Sequence, residues 1–356
     1  MAARATAALA QACPTALAER LARRSPQRIV VVQTAFLGDT VFTSALVQSL
    51  RVRFPEAALD LCVTPRGRDV ALAIPGVAEA LLFDKRGADA GLAGLWRAAL
   101  RLRRRSYDLA VLPHRSLRTA LLARTAGVPE RLGFRGAAGS LFSTALAPDL
   151  GETFIDREAQ LSRALGALPQ SMRLVPTPAS LEAARGLLAS MTPPFAALCV
   201  GSEWETKIWP APHLAALARS LRARGFTPIL LGGPRERALA AEVQSAAPDA
   251  ACLDTTGNPV GEAVALLSLC ALCAGGDTGL VHAARALGVP TVAVFGPTAP
   301  EAHHFGPRER AVSLRLACSP CSAHGDRRCP LGHHDCLRTL GHEPVLRACV
   351  AALEHG

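Results

Sequence analysis

Gly38-Asp39, Lys207 and the run Gly275-Gly276-Asp277-Thr278-Gly279 hold a carboxylate, an ammonium and the start of a helix. Together these groups can take up a proton and hold a phosphate anion. The run belongs to GGDTGLVHAARALGVPTVAVFGPT, residues 275–298. Ala271 to Ala274 reads as a short apolar strand, and Gly275-Gly276 as a tight turn that only glycine makes freely. Asp277 or Thr278 then caps a helix carrying Leu280, Val281, Ala284 and Leu287 on one face. Gly288-Val289-Pro290 stops it, and Thr291 to Phe295 is a second buried strand. The N–H groups of Thr278, Gly279 and Leu280 would meet an anion at the helix start, usually a nucleotide diphosphate. The same text also suits an ordinary crossover with glycines for packing. Asp277 either caps or accepts from hydroxyls, and His282, one turn in, suits a structural or a ligand-facing role.

Asp39 follows a glycine at the carboxyl end of a strand, where it is either a plain helix cap or a general base. A helix N-terminus favours its ionised form, making it a ready but weak proton acceptor. Lys207, the only lysine of the second half, sits in a loop after a strand and can neutralise a phosphate as a point charge. Ser202 can assist with its hydroxyl, whereas Trp209 reads as packing. Glu236, just after Leu231-Gly232-Gly233, is placed to bind ribose hydroxyls. His114, Arg115 and Arg118 follow a strand ending at Pro113 and either contact an anionic acceptor or start a solvent-facing helix. Cys318-x2-Cys321-x7-Cys329-x6-Cys336, with His324, His333 and His334 close by, could close a structural zinc site. Its spacing is irregular for a zinc module, so a thiol-rich loop is the alternative. Nothing in the sequence ties it to the other groups.

These residues need a scaffold that brings strand ends together. Arg28 to Gln33 is a buried strand, Asp39 to about Arg53 a helix, and Leu59 to Val63 the next strand. Leu109 to Pro113 and Leu117 to Thr125 repeat the pair. The second half restarts the pattern with strands at Ala196 to Val200, Pro228 to Leu231, Ala271 to Ala274 and Thr291 to Phe295, and a helix at His213 to Arg224. Such alternation argues an α/β fold with parallel sheets covered on both faces. Pro-rich text around Met172 to Pro194 marks the junction, dividing the chain into 1–172 and 173–356. The last helix, about Pro344 to Leu353, is expected to cross back to the first domain. Cys13, Cys62, Cys199, Cys252, Cys270 and Cys273 read as small core residues.

The 356 residues are 50% hydrophobic, ample for two cores, and carry a formal charge of +10. That charge is uneven: residues 1–172 hold 23 Lys and Arg against 14 Asp and Glu, residues 173–356 hold 16 against 15. A basic first half suggests an anionic partner for that domain: a phosphorylated glycolipid, a membrane surface or a nucleic acid. No aromatic-rich basic strand favours nucleic acid. The run Arg101, Arg103, Arg104, Arg105 also fits a solvated helix face. No stretch approaches about 18 consecutive apolar residues, so no transmembrane helix is expected. The Ala- and Arg-rich first 27 residues lack a secretory core and read as a helical or frayed extension on a cytoplasmic protein, in touch with a membrane surface.

The run at 275–298 resembles the nucleotide-sugar signature of family 9 glycosyltransferases, the bacterial lipopolysaccharide heptosyltransferases. Further similar stretches run in the same order. They are RIVVVQTAFLGDTVFTSALVQSLRVRFPEAALDLCV, YDLAVLPHRSLRTALLARTAGVPERLGFRG, SEWETKIWPAPHLAALARSLRARGFTPILLGGPRE and CSPCSAHGDRRCPLGHHDCLRTL. The last is similar to the cysteine-bearing tail of second-heptose transferases. The resemblance implies a GT-B fold: two Rossmann-like, doubly wound parallel-sheet domains facing a cleft. It implies an inverting, metal-independent transfer of L-glycero-D-manno-heptose from ADP-heptose to a Kdo-lipid A-type core glycolipid, without a cofactor, at the inner face of the inner membrane. Asp39 then occupies the catalytic position. Lys207 and His282 fall on donor-site positions with Ser202, Glu236, Asp277, Thr278 and Gly279. His114, Arg115 and Arg118 fall in the acceptor domain. An epimerase on the same scaffold, which needs no acceptor, and a non-catalytic nucleotide-sugar binder are the competing classes.

Overall fold

The computed structural model describes residues 15–150 and 153–354. The reading of Cys13 and of the first residues of the N-terminal extension lies outside them. The rest of that extension is a docked helix, α1 (Ala16–Arg23), with Leu17, Ala18 and Leu21 buried.

Six parallel strands form the first sheet: β1 (Arg28–Gln33), β2 (Ala58–Val63), β3 (Glu79–Leu82), β4 (Leu109–Val111), β5 (Glu130–Phe134) and β6 (Ala145–Ala147). Their order is β3-β2-β1-β4-β5-β6. Ile29, Val30, Val31 and Val32 are fully buried because helices cover both faces, which is why β1 reads as an unbroken apolar run. The helices are α2 (Leu37–Arg53), α3 (Arg68–Leu72), α4 (Gly91–Arg103), α5 (Leu117–Thr125) and α6 (Phe154–Ala164).

The second sheet repeats the plan with β7 (Phe195–Cys199), β8 (Thr227–Leu231), β9 (Leu253–Asp254), β10 (Leu272–Gly276), β11 (Thr291–Val294) and β12 (Glu309–Val312). Its order is β12-β11-β10-β7-β8-β9, again all parallel. Its helices are α7 (Pro178–Leu188), α8 (Ala211–Arg222), α9 (Arg237–Ala246), α10 (Val260–Ser268), α11 (Gly279–Ala286), α12 (Asp335–Arg338) and α13 (His342–Leu353). In each sheet the order reverses beside the first strand, and ligands of doubly wound sheets sit beyond the carboxyl ends at that point.

One apolar cluster runs from Ile29 and Leu46 through Val264 and Val281 to Phe295, so the two sheets share a continuous core. α6 packs on α2 and α7 on α10, and we take the junction to lie between those helices, in a stretch that contains residue 172.

Two expectations are corrected. α13 does not cross to the first domain: Val345, Cys349 and Ala352 pack with Trp209 and Leu214 against the second sheet. Gly275 and Gly276 make no tight turn but lie inside β10, neither at positive φ. Their missing Cβ atoms make room for the Cys199 backbone and the Lys207 carbonyl, which cross close to the strand end.

Candidate active site

The N-termini of α2 and α11 meet head to head across the cleft. A Cβ on Gly279 would collide with the Leu37 side chain and lie 3.1 Å from the Gly38 nitrogen, so glycine permits the approach. Both helix starts, each with first-turn N–H groups lacking intrahelical partners, therefore face one space. Side chains from the two domains close around it. Arg66 and Arg235 both bind Glu203, at 2.8 and 2.7 Å. Phe36 packs edge-on to Trp204 at 6.0 Å, and His304 reaches Asp156 at 3.1 Å.

Asp277 is a hub of the second-domain side, and of the two roles expected for it, cap or acceptor of hydrogen bonds, it does not take the cap. Thr278 is the N-cap residue, without a side-chain capping bond. The buried Asp277 carboxylate instead accepts from Lys207 Nζ at 2.7 Å, His282 Nε2 at 2.9 Å and Thr298 Oγ1 at 2.7 Å. Burial alone would raise its pKa. The His282 hydrogen bond and the Lys207 charge overcome that and hold it well below the usual carboxylate range.

The neighbouring donors define the His282 tautomer. Arg285 can only donate, and its guanidinium lies 3.2 Å from His282 Nδ1, so Nδ1 accepts and Nε2–H donates to Asp277. Burial, which lowers the His282 pKa, agrees with this neutral ring. His303, which sequence reasoning missed, stacks on His282 at 4.7 Å between Phe42, Phe154 and Phe295. Burial and His282 push its pKa down to about 3, and its Nδ1 is buried without a partner. Asp277, His282 and His303 are also the one trio among the described residues whose possible ligand atoms lie close enough for a metal, within 4.8 Å of one another. The Lys207 ammonium competes with any cation for that carboxylate.

Asp39 lies across the cleft at the third position of α2, because the helix starts two residues earlier than the sequence suggested. Its Oδ2 accepts from Phe36 N at 3.1 Å, and the carboxyl is half-buried. Sequence reasoning made it a weak base held ionised by the helix. The structure corrects the direction: burial raises its pKa, and the Phe36 N–H and the nearby His324 and Lys207 offset this only in part. A raised pKa makes Asp39 a stronger proton acceptor than an exposed aspartate.

Behind it lies a second carboxyl that the sequence did not betray. Glu158, buried on α6, sits 3.1 Å from Thr43 Oγ1, and its Oε2 has no partner. Thr43 also receives Gln33 Nε2 at 3.1 Å and lies 2.9 Å from the Asp39 carbonyl. The single Thr43 proton is shared between that carbonyl and Glu158 Oε1, so the buried Glu158 carboxylate is poorly compensated. Burial and the Asp39 charge push its pKa up to about 8, in agreement.

Residues 95–332 match the model of glycosyltransferase family 9 (heptosyltransferase). The chain belongs to that family. It is 29% identical over 294 residues to lipopolysaccharide heptosyltransferase 2 of Salmonella typhimurium, covering 77% of this chain and 84% of that protein. The structure of E. coli ADP-heptose lipopolysaccharide heptosyltransferase II superposes with a TM-score of 0.75 at 24% identity, covering 92% of this chain and 98% of that one. A family 9 glycosyl transferase from Veillonella parvula gives 0.83 at 21% identity, covering 93% and 98%. The paired sheets are thus the GT-B fold.

On this family 9 scaffold Glu236 and Ser202, the other residues expected to meet a donor, lie just beyond the carboxyl ends of β8 and β7. The Glu236 side chain lies against Gly201, Gly232 and Gly233, where any Cβ would strike it. Ser202 Oγ accepts only a long 3.4 Å contact from Trp204 N. Trp209 is core, its Nε1 donating to the Leu340 carbonyl at 2.9 Å.

The cysteine-rich loop, which nothing in the sequence tied to the other groups, abuts Thr206 and Lys207. Thr206 N and Oγ1 donate to the Asp326 carbonyl at 3.1 and 2.8 Å, and Asp326 N donates back to Thr206 Oγ1 at 2.8 Å. Gly325 lies against the Lys207 stem, where a Cβ would clash. The loop therefore braces the segment that carries Lys207. Cys321, Cys329 and Cys336 border one small cavity with His334, and Cys318 lies near them. Among the described residues the four thiols are not gathered as a set of metal ligands.

In the first domain His114, Arg115 and Arg118 follow β4 as expected, but each has an internal partner. His114 Nδ1 lies 2.8 Å from Thr34 Oγ1 and 3.0 Å from Thr119 Oγ1, and burial and Lys85 push its pKa down to about 4. Arg115 pairs with Asp149 at 2.8 Å. Arg118 donates to the carbonyls of Asp89 and Gly91 at 2.6 and 3.0 Å. Lys85, unremarked in the sequence, reaches the Thr34 carbonyl at 2.6 Å, close enough for Asp39 to act on its charge.

Proposed function

We propose that this chain transfers a heptose from ADP-heptose to the inner core of lipopolysaccharide, with inversion at the anomeric carbon. The observation that carries the reading is the head-to-head pair of helix starts. It sets a raised-pKa carboxylate, Asp39, opposite Lys207 and the α11 N-terminus. Asp39 takes the proton of an acceptor hydroxyl, whose oxygen attacks the anomeric carbon. The bond from that carbon to the β-phosphate oxygen breaks, and ADP departs with the electron pair. Lys207 and the first-turn N–H groups of α11 hold the growing charge. Glu236 takes the ribose hydroxyls, and the Asp277–His282–His303 cluster lines the sugar.

A single displacement with this donor set calls for no metal. The acceptor is a Kdo-lipid A-type glycolipid met at the inner face of the inner membrane, with Lys85 as a first-domain cation on whose charge Asp39 acts. The likeness to proteins named lipopolysaccharide heptosyltransferase 2 supports that branch over the first. The test is incubation with a panel of nucleotide sugars and truncated core glycolipids, with mass detection of product. ADP release that depends on glycolipid, with a mass gain of one heptose, is expected. ADP release or sugar rearrangement without any acceptor would point to an isomerase instead.

A further inference from the structure

α4 is apolar on both sides. Leu95, Ala98, Ala99 and Leu102 are buried against the first sheet with Val30, Val32 and Phe83. Leu92, Trp96 and Leu100 recur every fourth residue and form one exposed row beside the buried face. They are 81%, 54% and 37% exposed. An outward row of this kind on a single helix is unusual, since lone exposed leucines are common but aligned ones with a tryptophan are not.

The row is flanked by Arg97, Arg101, Arg103 and Arg104, all exposed. Arg101 pairs with Asp89, whereas Arg103 and Arg104 have no ion-pair partner among the described residues. The patch continues past the helix. Arg118 ties the start of α4 to the start of α5, where Leu117 is 49% exposed. The adjoining turn Ser140–Phe142 presents Leu141, 87% exposed. Leu117 directly follows the first-domain loop that carries His114, and the turn before Leu141 lies against Ser116 and Ala120, so exposed apolar residues border that loop.

We propose that the outward face of α4, with Leu117 and Leu141, docks the protein on an anionic lipid bilayer. Leu92, Trp96 and Leu100 enter the headgroup–acyl boundary and the arginines meet lipid phosphates. Charge decides the occupant. A second copy seated on the same face would bring Arg97, Arg101, Arg103 and Arg104 against their own equivalents, a like-charge contact. A bilayer of anionic lipid offers the opposite sign, together with an apolar layer at the depth a tryptophan prefers. Docked this way, the loop carrying His114 faces lipid. That geometry rests on the reading that the acceptor is a membrane glycolipid.

The test is binding of the full chain to phosphatidylethanolamine–phosphatidylglycerol vesicles and to phosphatidylcholine vesicles. Cosedimentation and tryptophan emission are followed together, with transfer to a short-chain, water-soluble acceptor measured in parallel. Anionic vesicles should sediment the protein and shift its emission to the blue. Trp96→Phe should keep binding and lose most of the shift. Leu92→Asp with Trp96→Asp should weaken binding at least about tenfold, as losing one buried large apolar side chain would. Arg103→Gln with Arg104→Gln should erase the preference for anionic lipid, and every variant should keep transfer to the soluble acceptor. Vesicle binding untouched by the Leu92/Trp96 substitutions, or a dimer in solution that they dissolve, would overturn the proposal. Failure of the wild type to use the soluble acceptor would instead strike the reaction, leaving the vesicle result to stand by itself.

Discussion

Lys207 and Asp277 form a buried ion pair at 2.7 Å, with side chains 13% and 6% exposed. At an effective dielectric of about 20 the gross attraction is about 6 kcal/mol, most of it offset by desolvation. Removing one partner of a buried pair ordinarily costs about 3–5 kcal/mol. Asp277 keeps His282 and Thr298 as donors, so Lys207→Met should cost about 2–3 kcal/mol, the lower part of that range. Asp277→Asn leaves an ammonium that can turn toward water and should cost about 1–2 kcal/mol, nearer a lost charged hydrogen bond. The double variant should cost less than the sum by about 1.5–3 kcal/mol. Urea denaturation of all four proteins at pH 7 measures this. The folded-state pKa of Asp277 is depressed, so the contribution is present above its ordinary value near pH 4 and is lost only as pH falls further, which leaves pH 7 on the plateau. Calorimetry on the same proteins should show ADP weakened about 10–100-fold by Lys207→Met while adenosine is unchanged, because the lost contact is to phosphate. Additive stabilities would refute the coupling. Equal losses for ADP and adenosine would refute the phosphate contact.

Glu158→Gln should remove a destabilisation that grows with pH. A carboxyl raised to about 8 folds best when protonated, so the wild type loses stability as pH rises from near 4.3 toward 8. The variant should gain on the order of 4 kcal/mol relative to wild type between pH 5 and 9, read by denaturation at both values. Thr206→Val unfastens Asp326 and should raise the ADP dissociation constant about 3–10-fold, while Asp39-dependent proton transfer in the bound complex is unaffected. Elemental analysis of purified protein tests the cysteine loop: a stoichiometric metal lost in Cys329→Ser would mean the sulfurs close around an ion. Raising salt should increase the apparent KM for glycolipid far more than for ADP-heptose, and Lys85→Gln should reproduce part of that. Equal response of both substrates would reduce the basic domain to a solvated surface.

The sheets were legible because fully buried parallel strands are short apolar runs bounded by glycine and proline. β1 and α5 fall where the text placed them. Glycine was misread where its role is close approach rather than a turn, since Gly275 and Gly276 look alike in either case and only the crossing Lys207 carbonyl decides. In the sequence Asp277 stays open between a cap and an acceptor because its partners Lys207 and Thr298 are remote along the chain. The sign of the Asp39 shift was missed because a helix start is visible in sequence and burial by the opposite domain is not. Glu158 and His303 carry no local motif: one is an acid in an amphipathic helix, the other one of two adjacent histidines. The bracing of Lys207 by Gly325 and Asp326 likewise spans about 120 residues of chain, a separation no pattern reports.

The central claim is that Asp39 takes the acceptor proton in a cleft that binds the donor without it. Single-turnover transfer by Asp39→Asn, measured beside ADP-heptose affinity, tests this most directly. Transfer should fall about 10²–10⁴-fold with the donor dissociation constant within about threefold of wild type. The wild-type rate should rise with pH through a value above the usual aspartate range, and the residual rate of the variant should not. Transfer near the wild-type rate in Asp39→Asn, or the same pH dependence in both, would contradict the account.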